Sequence, residues 1–184
     1  IAEELRGDRD IALSAVTSDA TAMPYLAPPL QADRDFLLIA AKRNVEVLRF
    51  APEALRADRD FVTSAVRSHG GALEFAAAEL RADRDLVMLA IRSMVEARAV
   101  QDEEDSAFPS SRGFAFTDLE DRQPRHRSAL AFATEELTKD RDFVMDAIEA
   151  DAEALACADM SLREDPTFVL KAVTSTGLAL AGAA

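Results

Sequence analysis

Apolar and polar residues alternate along this chain in blocks that return every 25 positions. Each block opens on an aspartate: Asp8, Asp33, Asp58, Asp83, Asp140 and Asp165. The first five begin the triplet Asp-Arg-Asp and the sixth begins Asp-Pro-Thr. The spacing is 25 throughout except between Asp83 and Asp140, where it is 57, or 32 more. Three places after each aspartate stands Ile11, Phe36, Phe61, Leu86, Phe143 or Phe168, and four places after it Ala12, Leu37, Val62, Val87, Val144 or Val169. The seventh place is always alanine (Ala15, Ala40, Ala65, Ala90, Ala147, Ala172), and the eighth is Val16, Ala41, Val66, Ile91, Ile148 or Val173. Apolar residues at +3, +4, +7 and +8 lie on one face of an α-helix. The unbroken alanine column predicts that another backbone packs close there.

The ends of these helices are also written in the sequence. Each leading aspartate reads as an N-cap, its carboxylate accepting from the first free backbone N–H groups. In the sixth block Pro166 replaces the arginine, and proline suits the first helical position because its missing N–H has no partner to lose. A second acid (Asp10, Asp35, Asp60, Asp85, Asp142) falls in the first turn, where the helix dipole favours negative charge. The helix is predicted to last about ten residues, with Gly70 and Gly177 marking the turn that follows. A second short helix is predicted around Met23–Leu26, Val47–Phe50, Ala72–Phe75, Ala129–Phe132 and Ala154–Cys157, ending near Pro28, Pro52, Thr134 or Asp159. A last turn carries Leu30, Leu55, Leu80, Leu137 or Leu162 into the next aspartate. Helices this short do not stand alone, so neighbouring repeats must bury them. The predicted fold is all-α: an α-solenoid of about six 25-residue helix–turn–helix repeats with one insertion of about 32 residues. The expected organisation is one continuous solenoid domain, with repeats one to four over 1–97, an irregular insertion over 98–128, and repeats five and six over 129–184.

Whole repeats, in particular Leu80-Arg81-Ala82-Asp83-Arg84-Asp85-Leu86-Val87 and Ala72-Leu73-Glu74-Phe75-Ala76, resemble domain of unknown function 4116. The resemblance covers 1–97 and 129–184. It implies short tandem helical repeats, common in algae, other protists and some bacteria, and brings no activity and no catalytic residue with it.

Composition narrows the function classes. Hydrophobic residues make up 49% and charged residues 30%, with a net charge of −13, which argues against nucleic acid as a partner. A single cysteine, Cys157, cannot form an internal disulfide. No apolar run reaches the ~20 residues of a membrane span, which leaves at most peripheral contact with a membrane complex. The expected location is intracellular, soluble or peripheral; a plastid or mitochondrion agrees with where the family is common. The chain starts at Ile1 in mid-pattern and stops at Ala184 in mid-repeat, so both ends read as cuts or processed boundaries.

Catalytic chemistry is not encoded in a recognisable form. Asp-Arg-Asp looks like a metal-binding Asp-x-Asp, yet a calcium loop needs further oxygen ligands and a glycine where this sequence has helical apolar residues. Gly70-Gly71 is a lone pair at a helix end, and His69 beside it is placed to satisfy the helix C-terminus. Cys157 shares a column with Phe50, Phe75 and Phe132 and reads as a small core residue. The chain is therefore expected to be no enzyme, with no catalytic residue, cofactor or metal.

What remains is interaction with other protein chains. The insertion carries an acidic run, Asp102-Glu103-Glu104-Asp105, then Phe108, Phe114 and Phe116, then the basic stretch Arg122–Arg127. It reads either as cover folded back on the repeats or as an arm for a partner. The +6 column is Ser14, Ile39, Ser64, Leu89, Asp146 or Lys171, mostly polar and so outward, which marks Ile39 and Leu89 as exposed apolar residues. Ile39, Leu89, Phe108, Phe114 and Phe116 are the candidate partner-binding residues. The expected function is a non-catalytic protein-interaction scaffold, a linker or accessory subunit of a larger assembly, with an organellar or photosynthetic setting suggested by where the family is common. The alternative is a regulatory or substrate-recruiting segment of a larger enzyme.

Overall fold

The computed structural model describes residues 3–107 and 128–176, and among these it contains helices and turns and no strand. Each predicted first helix is present: α1 (Arg9–Ser18), α2 (Arg34–Ala41), α3 (Arg59–Ser68), α4 (Arg84–Ala107), α5 (Arg141–Ala150) and α6 (Pro166–Thr176). The leading aspartates cap them as the sequence predicts. Asp58 accepts from the Phe61 N–H at 2.8 Å, and Asp140 from those of Asp142 and Phe143 at 3.1 and 3.0 Å.

The second helix is tighter than expected. In four repeats it is a 3₁₀ helix: η1 (Ala20–Tyr25), η2 (Val45–Phe50), η3 (Gly70–Phe75) and η4 (Ala129–Phe132); in the fifth it is one α turn, Ala154–Cys157. Short segments favour this i→i+3 geometry. Its start is organised by a polar residue at +11, extended in backbone, which ends one helix and begins the next. Asp19, Asn44 and Asp151 each accept from a backbone N–H two residues on. One further turn (for example Glu53–Arg56) leads into the next aspartate.

The repeats stack in sequence order. The first helices pack α1 on α2, α2 on α3, α3 on α4, α4 on α5 and α5 on α6, while the 3₁₀ helices form a parallel layer, η1 on η2, η2 on η3 and η3 on η4. Between the layers runs a continuous core that includes Phe36, Phe61, Phe143 and Phe168 from one side and Met23, Leu73, Leu130 and Leu155 from the other. Backbone rungs add to the stack: Ala27, Ala77, Thr134 and Asp159 donate to the carbonyls of Arg6, Arg56, Arg81 and Thr138. Pro52 holds the same position in its repeat and has no N–H to give.

The apolar stripe consists of two strips with different partners. In α1, where no described repeat lies behind, the +3 residue Ile11 is 45% exposed and Ala15 is half-buried, while Ala12 and Val16 are fully buried. In α6 the reverse holds: Phe168 and Ala172 are fully buried, and Val169 and Val173 are only half-buried. Positions +3 and +7 therefore meet the preceding repeat, and +4 and +8 the following one.

The fourth repeat departs from the pattern. Its first helix, expected to stop after about ten residues by the periodicity, continues through position 98 to Ala107. The +11 position here is Met94, where repeats one, two, three and five carry Asp19, Asn44, His69 and Asp151. Met94 offers no cap, and Val95-Glu96-Ala97-Arg98-Ala99 after it is rich in good helix formers. The inserted residues fall inside the repeat, between α4 and η4, which completes it by packing on both α4 and η3. Gly70 is explained by the same feature. It opens η3 rather than closing a helix in a left-handed turn, and a Cβ there would lie 2.5 Å from the Ala90 carbonyl oxygen and 2.5 Å from Met94 Cγ.

Candidate interaction surface

Two surfaces stand out among the described residues, and one of them repeats along the stack. The repeating one is built from the Asp-Arg-Asp triplet. Each arginine reaches forward to the leading aspartate of the next repeat: Arg9 to Asp33 at 2.8 Å, Arg34 to Asp58 at 3.0 Å, Arg59 to Asp83 at 2.8 Å and Arg141 to Asp165 at 2.5 Å. Arg84 pairs with Asp140, so the register passes from the fourth repeat to the fifth as though nothing were inserted. Four of these guanidinium groups also lie over the +3 phenylalanine of the next repeat, with Arg9 5.8 Å from Phe36 and Arg141 5.1 Å from Phe168.

The carboxylate oxygens divide the work. Oδ1 of Asp33 accepts from the Phe36 N–H, and Oδ2 from Arg9. The carboxyls of Asp33 and Asp58 are held below their ordinary range, first by the backbone N–H of Phe36 or Phe61, against a desolvation cost, and then by the arginine. Asp165 is lowered further, chiefly by the Thr167 hydroxyl and then by Arg141. With both oxygens engaged, the triplet is a joint between repeats. Among the described residues, no group of three or more His, Cys, Asp or Glu is placed to hold a metal ion. Exposed pairs of this kind are individually weak; their repetition fixes register.

The other surface is a groove of about 840 Å³ between α4 and α5. Its apolar part is Met88, Leu89 and Val95 of α4 with Ala150 of α5. Its charged part is Asp85, Arg92 and Glu96 of α4 with Asp146 and Glu149 of α5. The groove owes one wall to the unturned helix, since Val95 and Glu96 lie past the point where the other first helices stop. Arg98, further along, anchors that continuation on the fifth repeat, 3.4 Å from Asp151 and 3.3 Å from Glu153.

The candidate residues fare differently. Leu89 is half-buried, packs against the core and borders the groove. Ile39 is 43% exposed on α2, separated from Leu89 by α3 with its exposed Ser64, and is not part of the groove lining. Phe108, Phe114 and Phe116 lie outside the described residues. His69 keeps its +11 place, donating its backbone N–H to Ala65, but its ring makes no cap and lies beside Gly71. Cys157 is half-buried against the core. The sequence reading missed Met88, Arg92, Val95, Glu96 and Glu149; the absence of a polar residue at Met94 was the available signal.

Among the described residues, no helix is long and apolar enough to cross a membrane. No curated protein and no solved structure matches the chain. The family described as a domain of unknown function (DUF4116) matches three stretches, 8–56, 58–97 and 140–181, which together exceed half of the chain. The stacked repeats joined by Asp-Arg-Asp thus belong to a chain that is a member of the DUF4116 family.

Proposed function

We propose that the protein is a non-catalytic scaffold, a linker or accessory subunit that holds other protein chains within a larger assembly. The observation that carries this reading is the groove between α4 and α5, an apolar strip with charged edges on an otherwise regular array. Stacked repeats supply extended surface in proportion to their number, and a break in their regularity is where one partner is distinguished from another.

The test is made on native material. Crosslinking in the source cells, followed by size separation, is expected to place the chain in a stoichiometric complex with at least one other protein. Migration as a free chain with no crosslinked partner would refute the scaffold reading.

A further inference from the structure

We propose that the α4–α5 groove binds a basic amphipathic helix, a partner segment with aliphatic residues on one face and lysines or arginines beside them. This rests on the scaffold reading and names the chemistry of its partner. Four carboxylates, those of Asp85, Glu96, Asp146 and Glu149, border the apolar strip against one cation, Arg92. Asp85, Glu96, Asp146 and Glu149 are exposed, and among the described residues the only bond to any of the four side chains is from the Ser175 hydroxyl to Glu149 at 3.1 Å. The leading aspartates Asp33, Asp58, Asp83, Asp140 and Asp165 are engaged in the joints between repeats; these four instead border an apolar strip, beside Met88, Leu89 and Val95. A neutral or acidic occupant would bury part of that charge without a partner, which is costly. A basic one replaces water with ion pairs and covers the apolar strip in the same step.

Shape agrees with charge. From Asp85 to Glu96 the α4 wall runs about 17 Å at 1.5 Å per residue, enough for three turns of a docked helix with anchors at i, i+4 and i+7. Glu149 and Ala150 occupy the last turn of α5, where the helix dipole adds to the attraction for cations.

The probe is a fluorescein-labelled 14-residue synthetic peptide with leucines on one helical face and lysines on the other, titrated into the full chain by anisotropy. Saturable one-site binding is expected. The double variant Glu96→Lys/Asp146→Lys is expected to weaken it at least about tenfold, and Leu89→Ser to weaken it as well. Glu74→Lys/Glu164→Lys removes the same charge elsewhere and is expected to change the affinity less than about twofold. Both charge-reversed proteins carry exposed substitutions, and unchanged melting confirms that they fold.

Equal weakening by both double variants would mean attraction to overall charge and would overturn the groove assignment. Equal binding of a peptide with glutamates in place of lysines would overturn it too. If natural partners are captured undiminished by Glu96→Lys/Asp146→Lys, the scaffold reading stands and the groove proposal falls. If the peptide binds in the groove but no native complex exists, the scaffold reading alone falls.

Discussion

Repeats three and four begin alike and end their first helices far apart. Asp58-Arg-Asp-Phe-Val-Thr-Ser-Ala-Val-Arg-Ser gives a helix of 10 residues, and Asp83-Arg-Asp-Leu-Val-Met-Leu-Ala-Ile-Arg-Ser one of 24. Their buried columns correspond: Phe61, Val62, Ala65 and Val66 against Leu86, Val87, Ala90 and Ile91. The divergence begins with the next residue, His69 against Met94. After His69 come two glycines, poor helix formers; after Met94 comes Val95-Glu96-Ala97-Arg98. The core stripe decides where a helix packs, and the residues just past it decide where it stops. In repeat four that small difference raises the wall of a groove.

The strongest way to break the comparison is Gly70→Leu. The larger side chain would have to displace the Ala90 backbone carbonyl, and a cost near the upper end of overpacking, about 3 kcal/mol, is expected in urea unfolding. A variant as stable as the parent would show that α4 does not pass so close to η3.

Asp83→Ala tests the joint between the two repeats. Losing the cap of α4 should cost about 1 kcal/mol, read from the shift in denaturation midpoint. Calcium or magnesium should leave the melting temperature of the parent unchanged, because the joint holds an arginine rather than a metal. Acid probes the same joints through Asp33 and Asp58. Their folded carboxyls titrate below the ordinary value of 3.8, so they contribute stability above that value. The contribution is lost as pH falls from 3.8 through the lower folded pKa. A melting temperature that climbs on acidification through this window would contradict the bonding described.

The smallest effect on stability, and the sharpest on structure, belongs to Met94→Asn. It restores the polar +11 residue and is expected to shorten α4, with amide exchange accelerating over residues 95–100. Unaltered protection there would mean that the helix formers after position 94, rather than the missing cap, carry the helix onward.

Much of the fold could be read from the sequence because it is written six times. The apolar columns, the capping aspartates and the 25-residue period each describe one repeat and need only local rules. Relations between repeats were harder to see. The arginine of Asp-Arg-Asp was given no role by the local rules; its partners, Asp33 for Arg9 or Asp165 for Arg141, lie 24 positions on. Its recurrence at a surface position was the visible clue. The split of the apolar stripe into a backward strip and a forward strip became legible only from the end repeats, where no described repeat covers Ile11 or Val169. Leu89 stood out in the sequence as an exposed apolar residue and borders the groove, but Asp146 and Glu149 reach it from another repeat, and single-sequence spacing does not join them.

Each repeat is a connector with a plug on one side and a socket on the other. The arginine and the +4/+8 strip form the plug; the leading aspartate and the +3/+7 strip form the socket. Such parts can be duplicated or lost in whole units without redesigning any joint, so length can drift freely while the local fit is preserved. The sixth unit is the exception. With Pro166 where the arginine would stand, it keeps a socket but has half a plug, and a unit placed after it would find Val169 and Val173 to cover but no cation to seat its aspartate. Direction is built into every joint, and a single proline removes the cation from one of them.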